Sequence, residues 1–296
     1  LMNPSDSGEN TFSEVSGGLG LTIDFGAGLG GFLSYGRGFR APVIIEVTCS
    51  DPTDPCQLPF ELGPDPELKP VKSDSWEAGI RVTKERLQGS IITYWSEVRD
   101  DIFNVIDEAT PTLGYFTNLD RTRRVGVEAS AAALLFSEVP GLSVTGSLGV
   151  TRATFQTHAE LASPLVEDED EEAGTTLPGL SEDDEGEAVK VEPGDIFPMI
   201  PFFTGTVGLR YETGPTLFEI ETDWTSKQFL VGDESNEEPF QMLPARLVLD
   251  VRAEHTIGQA TLFAEISNFL DSDYSAFGII SENRRGATEQ VERFLT

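Results

Sequence analysis

The sequence predicts an all-β fold: an antiparallel transmembrane β-barrel, of which this chain supplies a part. Three observations carry that expectation. Side chains alternate between apolar and polar with period two in segment after segment. Several of these segments are longer than the five or six residues usual in globular strands. The connections between them alternate between short and long without exception.

Alternation is clearest at two places. In 245–257, Leu247, Leu249, Val251 and Ala253 fall on one face and Arg246, Asp250, Arg252 and Glu254 on the other. In 75–83, Trp76, Ala78, Ile80 and Val82 oppose Ser75, Glu77, Arg81 and Thr83. A helix would scatter each set around its circumference, whereas a strand separates them. About ten such strands are expected, over 12–25, 29–42, 73–85, 90–105, 115–135, 143–157, 202–213, 216–232, 245–257 and 260–277. A barrel strand needs only about 9–11 residues to cross a bilayer, so hydropathy windows built for helices miss it.

Taken in order, the first two segments flank Gly26-Ala27-Gly28. These glycines begin a run, Gly26-Ala-Gly28-Leu-Gly-Gly31, that fits the dinucleotide pattern GxGxxG. A dinucleotide loop needs a helix next, and Phe32 to Phe39 reads as strand, so a tight hairpin is expected instead. Further short connections are Glu85 to Gly89, Ser137 to Gly141, Gly214-Pro215 and Gly258-Gln259. Long ones lie at 43–72, 106–114, 158–201, 233–244 and from 278 onward. Short periplasmic turns and long extracellular loops are the layout of a bacterial outer-membrane barrel. A soluble β-sandwich has no reason to keep every second connection long. Residues 29–42 then run outward and 73–85 back inward, which puts Trp76 near the outer interface. Tyr35, Phe39, Phe202, Phe203 and Tyr274 also fall near strand ends, as an aromatic girdle requires. Mid-strand charges such as Arg81, Glu128, Glu219, Glu221 and Asp250 fit a polar barrel interior.

Charge excludes some partners. The 296 residues carry 51 Asp+Glu against 20 Lys+Arg, a net charge of −31. A phosphate backbone is repelled, so nucleic acid is not a partner. On the same bulk argument, attraction to anionic lipid through a polybasic patch is excluded. A cationic or metal-bearing ligand is compatible. With 39% hydrophobic residues and 19 Phe, wholesale disorder is not expected. No run of about 18 apolar residues is present. Leu1-Met2-Asn3-Pro4 does not resemble a signal peptide, so an exported protein is expected to have sequence before it. Cys49 and Cys56 are spaced too widely for a redox CxxC and lack partners for zinc; a loop disulfide in an oxidising compartment is expected.

Several stretches, in order along nearly the whole chain, resemble TonB-dependent receptor barrels. Ser34-Tyr35-Gly36-Arg37-Gly38-Phe39-Arg40-Ala41-Pro42 resembles that family's strand end S-x-G-F-R-A-P. Leu68-Lys69-Pro70 followed by Ser75-Trp76-Glu77-Ala78-Gly79-Ile80-Arg81 resembles its next strand, and Ile92 to Trp95 with Asp101 to Asn104 the one after. Phe116-Thr-Asn118 with Arg124-Val125-Gly126-Val127-Glu128 resembles N-x7-G-x-E. Asn268, Phe269, Asp271 and Tyr274 resemble the element N-L-F-D-x-x-Y near the family's C-terminus. The resemblance implies a 22-stranded barrel, a plug domain, and energy from the inner-membrane TonB complex acting through that plug. Residues 1–296 would be a partial barrel domain, with plug and final strand outside it. Implied partners are outer-membrane lipid and a small-molecule metal chelate, most often a ferric siderophore. Cobalamin or oligosaccharide uptake, a passive porin-like or adhesin-like barrel, and a soluble all-β binding protein are the alternatives.

No catalytic constellation stands out, and neither an enzyme nor a cofactor is expected. His158 and His255 are read to opposite ends of the barrel. Segment 158–201 contains Glu167, Asp168, Glu169, Asp170, Glu171 and Glu172 in unbroken succession. It reads as a solvated extracellular loop or as a trap for a cationic ligand. Arg37, Arg40, Arg121, Arg123 and Arg124 are candidate ligand contacts, because guanidinium forks suit carboxylate and phosphate groups. Pairing with acidic residues on neighbouring strands is the competing reading.

Overall fold

The computed structural model describes residues 11–48, 68–107, 110–136, 139, 141–161, 189–236, 242–278, 280–282 and 288–290. Cys49, Cys56 and the run from Glu167 to Glu172 lie outside the described residues. The elements are β1 (Gly17–Gly26), β2 (Leu29–Arg40), α1 (Ile44–Thr48), β3 (Val71–Lys84), β4 (Leu87–Asp107), β5 (Thr110–Leu134) and β6 (Leu142–Phe155). They continue with β7 (Ala159–Leu161), β8 (Val189–Val191), β9 (Phe203–Thr213), β10 (Thr216–Thr225), β11 (Arg246–Ile257), β12 (Ala260–Ile266), β13 (Ile280–Glu282) and β14 (Thr288–Gln290). Ten of them form one antiparallel meander, β1-β2-β3-β4-β5-β6-β9-β10-β11-β12, in which strand order in the sheet follows the chain. β7–β8 and β13–β14 are separate two-stranded ribbons. No described helix is long and apolar enough to cross a membrane, which says nothing of strands.

Tight turns close the end of the sheet opposite the long connections. Gly28 (φ 76°) shows why glycine is needed there: a Cβ would lie 2.0 Å from the Thr83 carbonyl oxygen. Its own carbonyl accepts the Thr83 N–H at 2.7 Å, tying the β1–β2 turn to β3.

The register sorts the side chains into two faces. Tyr35, Trp76, Trp95 and Val125 are paired across β2 to β5 on one face, and so are Ile80, Ile91, Ala129 and Leu148 across β3 to β6. This face is apolar and uncovered: Ile80 and Ile91 are each 52% exposed, Val207 58% and Leu262 64%. In water, each half-exposed aliphatic side chain forgoes on the order of 1 kcal/mol. A dozen would forgo about as much as the whole stability of a typical domain, roughly 5–15 kcal/mol. A surround as apolar as lipid would remove that cost. Tyr35 packs on Trp76 at 4.7 Å and Phe203 on Trp224 at 4.6 Å. Both pairs lie at the outer end, the end with the long connections.

The opposite face is polar. Hydroxyl pairs cross it at Ser75–Ser96 (2.8 Å), Ser90–Ser130 (3.0 Å), Tyr94–Thr151 (2.7 Å) and Ser147–Thr206 (2.7 Å). Alternation puts Arg81, Glu128, Glu219, Glu221 and Asp250 on this interior face, as the sequence suggests.

Three expectations need correction. Residues 106–107 and 110–114 are strand rather than loop: β4 and β5 stay paired to Asp107 and Thr110, with one register shift after Ile106. The strand expected over 216–232 stops at Thr225, and that over 260–277 stops at Ile266. After Thr225 the chain leaves the sheet to pack against other connections, whereas after Ile266 it turns back onto β11 before Gly278 meets Val231.

Candidate functional site

The outer mouth of the interior face is where the structure concentrates buried contacts. Asp100 has φ 54° within β4, and beyond it Asp101 meets the interior side chains of β5. Thr122, 0% exposed, donates its hydroxyl to Asp101 Oδ2 at 2.7 Å. Arg124 donates to the same carboxylate oxygen at 3.2 Å and to Thr122 Oγ1 at 3.0 Å. The Arg124 guanidinium lies 5.1 Å from the centre of the Phe197 ring. Phe197 meets Phe155 edge-on at 4.3 Å and Phe103 at 5.4 Å. Leu119, Ala153, Leu161 and Val191 complete this small core.

The segment carrying Phe197 is held by backbone bonds: Phe155 N–H to the Asp195 carbonyl (2.9 Å), Gly194 N–H to the Phe155 carbonyl (3.0 Å) and Phe197 N–H to the Ala153 carbonyl (3.1 Å). Both flanks of the acidic segment are therefore fixed on the mouth, through β7–β8 and through Phe197. Other connections join the same layer. Asn236 (φ 58°) donates to the Ile196 carbonyl at 3.0 Å and accepts from the Ile196 N–H. Met199 N–H reaches the Phe229 carbonyl at 2.9 Å, and Val231 N–H the Gly278 carbonyl at 3.2 Å. Gln228 and Leu243 exchange both backbone bonds, at 3.1 and 2.9 Å, beside the buried pair Leu230 and Leu243. Glu234 sits in this layer. Its Oε1 accepts from Gly232 N–H at 3.0 Å, while Oε2 is buried without a hydrogen-bond partner. Burial holds this carboxyl above the usual carboxylate range.

The five arginines singled out by sequence do not form one group. Arg40 ends β2 and bonds Glu46 of α1 at 2.7 Å; the same Glu46 oxygen accepts the Val43 N–H. Arg124 lies at the mouth as described. Alternation puts Arg37, Arg121 and Arg123 on the opposite, outward face. Arg123 stacks 5.3 Å over Trp95 and pairs with Glu97 at 3.2 Å, and Arg121 approaches Glu97 at 3.8 Å.

The Asn268 motif is a turn. Asn268 (φ 51°) donates its N–H to Asp250 Oδ1 at 2.7 Å and exchanges side-chain bonds with Ser272 at 2.9 and 3.0 Å. Asp271, also at φ 51°, donates its N–H to the Asn268 carbonyl at 2.8 Å. Phe269 N–H returns to the Leu249 carbonyl at 2.7 Å. Asparagine and aspartate tolerate this conformation better than other side chains. Tyr274, beyond the turn, receives the Arg246 guanidinium at 5.2 Å.

Lower on the interior wall, Arg210, Glu219, Arg252 and Glu265 are paired across β9 to β12 with alternating sign. Arg252 reaches Glu265 at 3.1 Å. His255 Nδ1 lies 2.8 Å from Thr216 Oγ1 at the inner end, far from His158 beside β7. Among the described residues no group of three or more His, Cys, Asp and Glu is arranged to hold a metal ion. The arrangement offers shape, charge and hydrogen bonds for holding a ligand.

Sequence reasoning missed the knitted loop layer. Phe229, Leu230 and Val231 read as continued strand, and the turn residues Asn236 and Asn268 were the available signal against it.

Residues 2–269 match the model of a family described as TonB dependent receptor-like, beta-barrel. Solved structures share the fold. The copper transporter OprC matches with TM-score 0.61 and 16% identity over 88% of this chain and 34% of its own. The ferric yersiniabactin uptake receptor FyuA from Yersinia pestis gives 0.60 and 14%, over 93% and 35%. The ferric citrate transporter FecA, in its unliganded form, gives 0.58 and 15%, over 93% and 36%. The chain thus spans about a third of the length of the solved structures it matches.

Proposed function

Because the chain belongs to the TonB-dependent receptor family, as β-barrel domain, we propose that it forms part of the wall of an outer-membrane importer driven by the TonB complex. The observation that carries this reading is the sheet with one face apolar and uncovered from β1 to β12 and the other lined with hydroxyls and charges. Such a wall has lipid on one side and a ligand path on the other. The family is one of receptors and transporters rather than enzymes, and the work assigned to these residues is binding and passage.

The ligand we assign is a small metal chelate, a ferric siderophore first. The likeness to FyuA, a ferric yersiniabactin uptake receptor, and FecA, a ferric citrate transporter, supports that class. Of the five arginines, Arg40 and Arg124 belong to the interior mouth and are the two we assign to the chelate's anionic groups. The acidic segment, whose flank at Phe197 is fixed beside Arg124, would favour a chelate of net positive charge that still presents an anionic group to these arginines. TonB would act through a plug domain seated against the interior wall.

Growth under iron limitation tests this. A strain lacking the protein, supplied with single ferric chelates, should fail on one of them and recover on complementation. Unimpaired growth on every ferric chelate, with impaired copper or cobalamin uptake, would reassign the ligand. Deleting 165–187 should weaken uptake of a cationic ligand at low salt more than at high salt; equal uptake at low salt would remove the acidic segment from the mechanism.

A further inference from the structure

We propose that the outward face of β2 to β5, just beyond the Tyr35–Trp76–Trp95 row, binds the phosphate groups of a lipid anchored in the outer leaflet. The proposal rests on the membrane-barrel reading above. Bulk charge argues against any anionic lipid, yet the fold gathers cations here. Two successive cross-strand rows follow the aromatic row. The first is Arg37, Asp74, Glu97 and Arg123; the second is Phe39, Lys72, Arg99 and Arg121. Five of the 20 basic residues in the chain stand in these two rows.

The second row has three cations on adjacent strands at directly paired positions. Neighbouring strands lie about 4.8 Å apart, so like charges so placed repel one another. Four carboxylates, Glu14, Asp74, Glu97 and Asp100, relieve most of this and leave the five cations one charge in excess. Lys72 reaches Glu14 at 2.8 Å and Asp100 at 3.8 Å, Arg99 pairs with Asp74, and Arg121 and Arg123 share Glu97. The side chains are not used up: Arg99 remains 44% exposed, Arg121 45% and Arg123 34%. Each guanidinium has five donors in a planar fork suited to phosphate. Depth fits the same occupant. Tyr and Trp mark the level where headgroup meets hydrocarbon, and Trp76 and Trp95 stand one row below these cations. Beneath the tryptophans the outward face continues as Ala78, Thr93 and Val127, then Ile80, Ile91 and Ala129, a surface for acyl chains. A phosphate placed against Arg99 and Arg121 would thus leave its lipid tails along that strip.

The test uses the protein extracted in mild detergent from its own outer membrane, with native mass spectrometry counting retained phosphorylated lipid. Arg99→Gln with Arg121→Gln removes two outward charges; Arg210→Gln with Arg252→Gln removes two interior ones as control. At about 1 kcal/mol for each basic side chain at a membrane surface, retention should weaken about 30-fold in the outward pair and hold in the control. Arg121→Gln alone, whose one ion pair is long, should show an intermediate loss and guards against misfolding of the double variant. Equal retention in all variants overturns the proposal. Release of the wild-type lipid by millimolar inorganic phosphate also overturns it, since a soluble anion would then be the ligand. Absence of the wild-type protein from the outer-membrane fraction, or migration on gels unaffected by heat, would refute the barrel reading instead. A barrel that migrates as expected but retains lipid regardless of Arg99 and Arg121 refutes this inference alone.

Discussion

Asp101 should be the residue on which the base of the acidic segment most depends. Its Oδ2 accepts from both Thr122 Oγ1 (2.7 Å) and Arg124 (3.2 Å), and through Arg124 it holds the guanidinium over Phe197. Asp101→Ala leaves the proton of the Thr122 hydroxyl, which is 0% exposed, without its acceptor, at a cost of about 1–3 kcal/mol. Arg124 keeps a third of its side chain in solvent and can relax outward, so loss of the ion pair adds only about 1 kcal/mol. Asp101→Ala should therefore destabilise by about 2–4 kcal/mol. Asp101→Asn retains an oxygen for Thr122 and should cost about 1 kcal/mol. Thr122→Val removes the stranded hydroxyl, so adding Asp101→Ala to it should cost about 1–2 kcal/mol less than adding it to the wild type. Denaturant unfolding in lipid vesicles, followed by tryptophan fluorescence, measures all of these. Alanine and asparagine variants agreeing within about 0.5 kcal/mol would show that the buried hydroxyl does not depend on the carboxylate.

The two-face assignment predicts that Ile91→Arg, on the outward face, costs about 2–4 kcal/mol in vesicles, whereas Ser90→Arg on the interior face costs far less; similar costs would refute the assignment. Gly126→Ala would put a Cβ 2.4 Å from Tyr94 Oη and 2.5 Å from the Val150 carbonyl oxygen. Tyr94 should be displaced and its bond to Thr151 lost, for about 1–3 kcal/mol, and an unchanged unfolding midpoint would count against that packing. Glu234 binds its proton more tightly in the folded layer than in the open chain, because burial raises its pKa. Stability of the layer should be fullest below the unfolded value of about 4.3 and should fall as pH rises through the folded one. Glu234→Gln should flatten that dependence, read as hydrogen-exchange protection of the loop amides; a pH profile unchanged by the substitution would contradict it.

The strands were legible because a wall with one apolar and one polar face enforces alternation: Leu247, Leu249, Val251 and Ala253 must all face one way, and a one-residue slip would invert them. Where the two faces no longer differ, that constraint lapses. β4 and β5 continue to Asp107 and Thr110 through residues such as Pro111 and Gly114 that read as loop. The apolar residues Phe229 to Val231 misled in the other direction: Leu230 buries against Leu243, and the backbones of Phe229 and Val231 bond Met199 and Gly278 rather than a neighbouring strand. The arginines were read as a set, although Arg123 and Arg124 are consecutive on a strand and must face opposite sides. Total charge concealed the outward cations, since a sum over 296 residues carries no position.

The Phe155–Phe197 core and the β7–β8 ribbon also set how freely the chain between them can vary. Pairing of β6 with β9 must close the span 156–202, and closure entropy grows only with the logarithm of length. Doubling the segment between the ribbon strands would cost about 0.6 kcal/mol, less than one hydrogen bond at the mouth. Insertions and deletions there should therefore cost the pairing of β6 with β9 little. The surface-exposed end of the molecule can thus be rewritten by selection while the wall beneath it stays the same.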